Sequence, residues 1–561
     1  MASACLVIIA VVLRVLIAVC TRTFFQPDEY FQALEPAHAI VFGYGHLTWE
    51  WLSERPIRSI VYPALNVPVY WVLKVLHLDD TELLVLAPKV LHGVLAAGTD
   101  IWLSELTRKV LGERYVLTAY FLSLTSLFNA LSLSRSLSNS LETTLTIIAL
   151  SYYPWSAESI VNRTQLRKLL VFAALACVVR TTNVIIWVLA ISALLWRLQS
   201  HHGAIASFVM DALLVGACTL FTLFALDSFY YHRPTLTPLS FLLTNASPVS
   251  LFYGSAPWHY YLTQALPILS GTALPFVLHG LWRTFRPLGP QVPSSPKLLL
   301  GLVIWTTCAY SLIGHKEWRF LHPMLPLLHV FAAKSLVDLY HAHTTSSPRR
   351  SSTHRQRKPR LPIRSGHLAL LLLAVPASVY VCLYHSHAQI SVMRYLHYLP
   401  DEELKSVGFL MPCHSTPGQA YLHRPMEDAE GRIWALGCEP PLEGQNITMY
   451  KDQTDIFYAS PLAYLHDHFP PHVDPAFPPS PYPRTPPGTR MRNVGVWRHE
   501  WPSHLVFFGA LLGSEGVEET LKHLEYREVW RGGNGLEEDW RRRGGVRVWV
   551  YVQPTEKIRL G

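Results

Sequence analysis

The 561-residue chain is 50% hydrophobic but only 15% charged, and its mean hydropathy is +0.21. Soluble chains carry about 25% charged residues, so this one lacks the polar surface to cover itself in water. Many apolar runs approach the ~20 residues that cross a bilayer, which indicates a polytopic membrane protein in place of the roughly three or four soluble domains suggested by length. The net charge of +8 is no nucleic-acid footprint, because seven of the eight charges lie in residues 341–366 (Arg349, Arg350, Arg355, Arg357, Lys358, Arg360, Arg364). A basic loop between two apolar spans is a topology signal, and no other basic patch with interleaved aromatics supports binding of nucleic acid.

The first run, Ala4–Cys20, carries Arg14. It continues to Thr21 without a small-residue cleavage site, so an uncleaved anchor is expected over a signal peptide. Residues 22–80 mix aromatics, acids and prolines and form no plain span. Apolar runs follow near 83–106, 115–133 and 142–157, then 169–198, which Arg180-Thr-Thr-Asn183 interrupts. Others lie near 204–226, 262–282, 297–313, 321–338 and 367–385.

Basic connections at 107–114, 163–168, 283–286 and 349–364 set the topology. If all four are cytoplasmic, the number of crossings between them is even, and 169–198 is a hairpin of two short spans. The expected fold is thus an all-α membrane module over 1–385, with about 11 transmembrane helices and a cytoplasmic N-terminus. It includes a first external loop at 22–80 and the basic cytoplasmic loop at 341–366. Residues 386–561 are expected to form an external domain of mixed α/β type, Pro-rich at 469–487.

Segments 227–262 and 314–320 share the external face. The sequons at Asn245 and Asn446 fall there and are expected glycosylation sites, while Asn162-Arg-Thr falls on the other side and should stay bare. Six of the eight cysteines lie in apolar runs. Cys413 and Cys438 lie in a polar region without Cys-x-x-Cys or His-rich metal spacing, and a disulfide is expected if that region faces an oxidising lumen.

Three external segments carry chemistry. The first reads Phe24-Phe-Gln-Pro-Asp28-Glu29-Tyr-Phe-Gln32-Ala-Leu-Glu35. Proline followed by two acids suits a helix start. It also suits a general base at the membrane surface, where low dielectric raises a carboxylate's pKa toward the working pH. Further on, Trp49-Glu50-Trp51 is either an interfacial anchor or a sugar-stacking platform with an acid for hydroxyls.

The second external segment contains Asp227-Ser-Phe-Tyr-Tyr-His232-Arg233 and Pro257-Trp258-His259-Tyr-Tyr-Leu-Thr-Gln264. The third is His315-Lys316-Glu317-Trp318-Arg319-Phe320 between two spans. Four ionisable groups there are either an internally paired interfacial cluster or a site for a lipid-linked phosphate.

Pro27-Asp-Glu-Tyr-Phe-Gln32, Gly43-Tyr-Gly, Thr48-Trp-Glu-Trp51 and His315-Lys-Glu-Trp-Arg-Phe320 together resemble the dolichol-phosphate-mannose-dependent mannosyltransferases of the endoplasmic reticulum. Asp227-Ser-Phe-Tyr-Tyr, Pro257-Trp-His-Tyr-Tyr-Leu-Thr-Gln264, Gly408-Phe-Leu-Met-Pro-Cys-His-Ser-Thr-Pro417 and Leu436-Gly-Cys-Glu-Pro-Pro441 resemble the subgroup that adds the third mannose of the glycosylphosphatidylinositol (GPI) anchor. The likeness covers most of residues 20–465. It departs at Gln26 and Ala256, where the family and the subgroup carry His, and at His232-Arg233-Pro234.

The resemblance implies a GT-C type glycosyltransferase in the endoplasmic reticulum membrane with a lumenal site. It implies transfer of mannose from dolichyl phosphate mannose to a GPI precursor glycolipid, inverting the β-linked donor to an α-1,2 product. Asp28 is the expected base, with Glu29 the alternate. His315, Lys316 and Arg319 are expected at the donor phosphate with Arg233 as helper, while Trp49, Glu50, Trp51, Trp258 and His259 shape the sugar and acceptor pocket. A leaving dolichyl phosphate needs no metal or other cofactor, although a divalent ion on Asp28 and Glu29 is the alternative. Cys413 and Cys438 would staple the lumenal domain. The rival readings are a sister enzyme of the dolichol-linked oligosaccharide pathway and, from another class, a lipid transporter or scramblase.

Overall fold

The computed structural model describes residues 4–156, 162–285, 294–346, 361–426, 429–441, 449–486 and 497–553. Asn446, Arg286 and the basic cluster from Arg349 to Arg360 lie outside them.

Among the described residues, six helices are long and apolar enough to cross a membrane: Leu83–Val110, Thr181–Leu198, His202–Tyr231, Tyr261–Phe285, Trp318–His343 and Ser365–His397. Shorter helices at Ala4–Cys20, Val116–Thr125, Ser138–Tyr152 and Arg163–Val179 join them. The long run at 169–198 breaks where its polar tetrad lies. Helix Arg163–Val179 stops, Arg180 is extended, and a tight turn at Thr181–Asn183 starts the helix Val184–Leu198.

Arg14 explains itself once the helices pack. Its Nε and Nη2 donate to the two Asp100 oxygens at 2.7 and 2.8 Å, both side chains are fully buried, and Ser123 Oγ donates to Asp100 at 2.6 Å. A buried cation is tolerable when paired bidentately, and losing either partner strands a charge in apolar surroundings. The N-terminal helix is therefore part of the folded core. Its approach to Leu83–Val110 is close enough that a Cβ on Gly93 would meet Val15 Cα at 2.8 Å. Gly280 plays the same part where helix Leu274–Phe285 meets Leu325–Ser346, since any side chain there would collide with the Phe331 carbonyl.

Among the described residues, five strands build the C-terminal sheet: β1 (Val407–Leu410), β2 (Ile433–Ala435), β3 (His504–Phe508), β4 (Tyr526–Gly532) and β5 (Val546–Tyr551). Their order is β2-β1-β3-β5-β4. β1 runs parallel to β2 and β3, whereas β5 is antiparallel to β3 and β4.

Strand periodicity divides the apolar side chains between two cores. Phe409, Val506, Phe508 and Val548 face one way and pack with Phe24, Tyr30, Phe31 and Leu34 of the first loop. Leu410, Leu505, Phe507 and Trp549 face the other way, against the helices Gln453–Ala459 and Pro461–His468. The first loop is thus held on one side by the sheet. Cys413 and Cys438 form a disulfide that joins the chain after β1 to the chain after β2.

Candidate active site at the first loop

Pro27 opens a helical turn, and its carbonyl accepts from the amides of Tyr30 and Phe31 at 2.9 and 3.0 Å. Asp28 and Glu29 are the first helical residues, followed by a wide π-turn at Tyr30–Leu34 and the helix Glu35–Phe42. Pro-Asp-Glu is therefore a helix start. Widened turns of this kind recur at functional sites.

Being adjacent on this turn sends the two acids apart. Glu29 is buried in a 3.0 Å ion pair with Arg135, whose guanidinium also donates to the Thr23 carbonyl at 2.6 Å and to Thr23 Oγ1 at 2.7 Å. Asp28 keeps partial exposure and accepts from Arg319 Nη1 at 2.7 Å, a contact spanning 291 positions of sequence. The first loop and the turn before helix Leu325–Ser346 thus meet at one carboxylate–guanidinium pair, in direct contact with no sugar-sized gap between them.

Arg319 also donates to both Glu317 oxygens, at 2.5 and 2.8 Å. Burial alone would raise the Glu317 carboxyl, but Arg319 and His315 outweigh it and hold the group well below the usual carboxylate range. Next to it, His315 directs Nδ1 at the Gly254 carbonyl (3.0 Å) and Nε2 at Glu317 (3.3 Å). Only a protonated ring donates from both nitrogens. The Glu317 bond raises the His315 pKa above its ordinary value, against the opposing effect of burial. The site is a row of alternating charges: Asp28, Arg319, Glu317, His315.

Other expected residues serve the scaffold. Lys316 is buried and donates to the Ala256 carbonyl at 2.8 Å. Arg233 donates to the Ser53 carbonyl at 2.8 Å. Both fasten loop backbone. Trp51 is buried with its indole N–H on the Phe31 carbonyl at 2.9 Å, and Trp49 donates to the Tyr253 hydroxyl at 2.9 Å.

Glu50 accepts from Arg58 at 2.6 and 3.0 Å and from Gln32 at 3.0 Å, so its oxygens are committed to protein. Trp258 is 70% exposed and stacks edge-on only with its neighbour His259, which bonds Thr263. Asn245 ends the short helix Thr237–Ala246 with an exposed side chain, as a modification site requires. Asn162 instead caps helix Arg163–Val179 by accepting from the Gln165 amide.

The residues that sequence reasoning missed are arginines. Arg135 is the only charge between residues 115 and 141, and a lone cation in an apolar stretch was the available signal that a buried acid awaited it. Arg58 and Arg180 likewise border a small polar cavity with Ser138, Thr181 and Thr182, between the first loop and helix Arg163–Val179. Arg58 is neutralised by Glu50, and Arg180 by Glu142 at 3.4 Å.

Residues 5–423 match the Alg9-like mannosyltransferase family. The chain is 34% identical to GPI mannosyltransferase 3 of Yarrowia lipolytica over 97% of this chain and 96% of that one. It is 36% identical to GPI alpha-1,2-mannosyltransferase 3 of Mus musculus over 83% and 79%. Among solved structures, ArnT from Cupriavidus metallidurans bound to undecaprenyl phosphate shares its GT-C fold. The TM-score is 0.55 over 98% of both chains, at 11% identity.

Proposed function

The chain belongs to the Alg9-like mannosyltransferase family, and from that premise we propose an inverting transfer of mannose from dolichyl phosphate mannose to a GPI precursor bearing two mannoses. The names of the relatives support both the GPI acceptor and the α-1,2 linkage. The proposed setting is the endoplasmic reticulum membrane, with 11 spans and the first loop, the 314–320 turn and the sheet domain in the lumen.

In this reading Asp28 removes the proton from the acceptor hydroxyl. That oxygen attacks C1 of the donor mannose as the C1–O bond to phosphate breaks, and dolichyl phosphate leaves with the electron pair. Arg319 and the protonated His315 stabilise the departing phosphate. As phosphate draws Arg319 toward itself, Asp28 is freed to take the proton. The observation that carries the proposal is the 2.7 Å contact between Asp28 and Arg319, which supports one reaction centre built from distant segments. Glu29, committed to Arg135, serves the scaffold of that centre. The proposal uses no metal, because each of the two neighbouring carboxylates that would ligate one is already paired to an arginine of its own.

Purified full-length protein, incubated with dolichyl phosphate mannose and a defined dimannosyl GPI precursor, should yield a trimannosyl product that an α-1,2-specific mannosidase trims back. The yield should be unchanged by chelator. Transfer only to a dolichol-linked oligosaccharide would favour the sister pathway, and transport of lipid without transfer would end the proposal.

A further inference from the structure

A cavity lies one helical turn beyond the base. It has a volume of about 380 Å³, toward the small end of the ~300–1,000 Å³ typical of ligand pockets, and separates the Gly43–Leu47 turn from the sheet domain. Phe31, three residues after Asp28, forms its wall on the active-site side, with the His414 ring 4.6 Å from the Phe31 ring. Gly43, held at φ +87°, lets the chain turn here, and the indole of Trp434 and the phenol ring of Tyr44 supply flat apolar surface.

Three charged side chains line this cavity, Arg484, Glu439 and Glu430, and Arg484 forms no ion pair with either acid among the described residues. Arg484 has no ion pair among the described residues, and its Nη1 lies 3.0 Å from His46 Nδ1. Glu439 is likewise without an ion pair among the described residues, yet it belongs to the same cavity. Each feels the other: Glu439 opposes the lowering of Arg484 by burial, and Arg484 opposes the raising of Glu439 by burial. Both side chains are only partly buried, and a cation and an acid held apart leave hydrogen-bonding capacity facing the cavity. His46 and His414 are held neutral there, chiefly by burial, and a neutral imidazole both donates and accepts. Separated donor and acceptor groups with aromatic surface suit a polyhydroxylated ring: the guanidinium donates to hydroxyl oxygens, the carboxylate accepts from hydroxyls, and the rings cover the sugar's apolar face.

We propose that this cavity holds hexosyl units of the acceptor glycan behind the reacting one, with Arg484 and Glu439 as its polar grips. The sheet domain then selects the acceptor while the membrane helices handle the donor. The inference rests on the reading of Asp28 as the reacting end, one turn from the Phe31 wall.

The test is steady-state transfer by purified full-length protein with dolichyl phosphate mannose and the dimannosyl acceptor. Arg484→Gln and Glu439→Gln should each raise the acceptor KM roughly tenfold, the scale of a lost charged hydrogen bond, with donor KM and kcat within about twofold. Unchanged acceptor KM in both variants, or a loss confined to kcat, would overturn it. Should the variants fold poorly, wild-type protein without donor is photo-crosslinked to an acceptor carrying a diazirine on its first mannose. Labelling of residues 430–441 or 476–486 is expected, and labelling confined to the membrane helices refutes the site. If wild-type protein transfers no mannose to this acceptor, the functional reading fails. If it transfers normally while the variants keep their acceptor KM, only this inference fails.

Discussion

Two adjacent acids with separate partners divide the chemistry at the scale of single residues. Glu29 and Arg135 are a buried pair, with side chains 6% and 4% exposed. Removing one member of such a pair leaves the other charged and unsolvated, at about 3–5 kcal/mol. Glu29→Gln should therefore lower the unfolding midpoint of the detergent-solubilised protein by several degrees while folded molecules still transfer mannose. Preserved stability with lost turnover would give Glu29 the base's role. Asp28, bonded at the open end of the same turn, is expected to show the converse pattern. Its identity as a candidate was legible in Pro-Asp-Glu, whereas its division of labour with Glu29 was not, because that is decided by arginines 106 and 291 positions away.

At the scale of elements, the breaks were more readable than the contacts. Arg180-Thr-Thr-Asn183 announced the interruption of a long apolar run because polar side chains compete for backbone and require burial with partners. Trp258 illustrates the opposite: an aromatic beside a histidine reads as pocket-forming, yet nothing local fixes whether it faces a cavity or the rim.

The sheet domain carries a pH signature of its own. His499 is stacked on Phe469 with ring centroids 4.5 Å apart and meets the Tyr464 hydroxyl at 2.8 Å, and burial holds its pKa down to about 3. A histidine depressed on folding binds fewer protons folded than unfolded. Its stabilisation is full above about 6.5 and is lost as pH falls toward the folded value. His504, lowered to about 4, acts in the same direction; Asp452 and Glu35, raised by burial to about 7, act oppositely as pH climbs from 3.8 and 4.5 respectively. Thermal unfolding followed from pH 7 to 4 should show the midpoint gap between wild type and His499→Gln narrowing as pH falls below 6.5, because only the wild type loses this histidine's contribution. An equal slope in the variant would remove His499 as a source.

Across the whole molecule, the first loop is the keystone between a helical body and a sheet. Glu35 expresses this most compactly: one carboxylate accepts from the His46 amide at 2.8 Å within the loop and from the Ala420 amide at 2.5 Å in the sheet domain. Hydropathy foretold a body of apolar helices, since that follows from composition along the chain. The packing of β1, β3 and β5 on Phe24, Tyr30 and Phe31 was not foretold, because apolar residues in a loop do not say what covers them.

The central claim is that Asp28 and Arg319 form one reaction centre, and a double-variant cycle on the mannose-transfer rate tests it most directly. Asp28→Asn should cost about a hundredfold or more with donor binding retained, and adding Arg319→Gln to it should cost far less than the same change costs alone. A variant lacking the Asp28 carboxylate that works within a few-fold of wild type, or losses that simply multiply, would contradict the account.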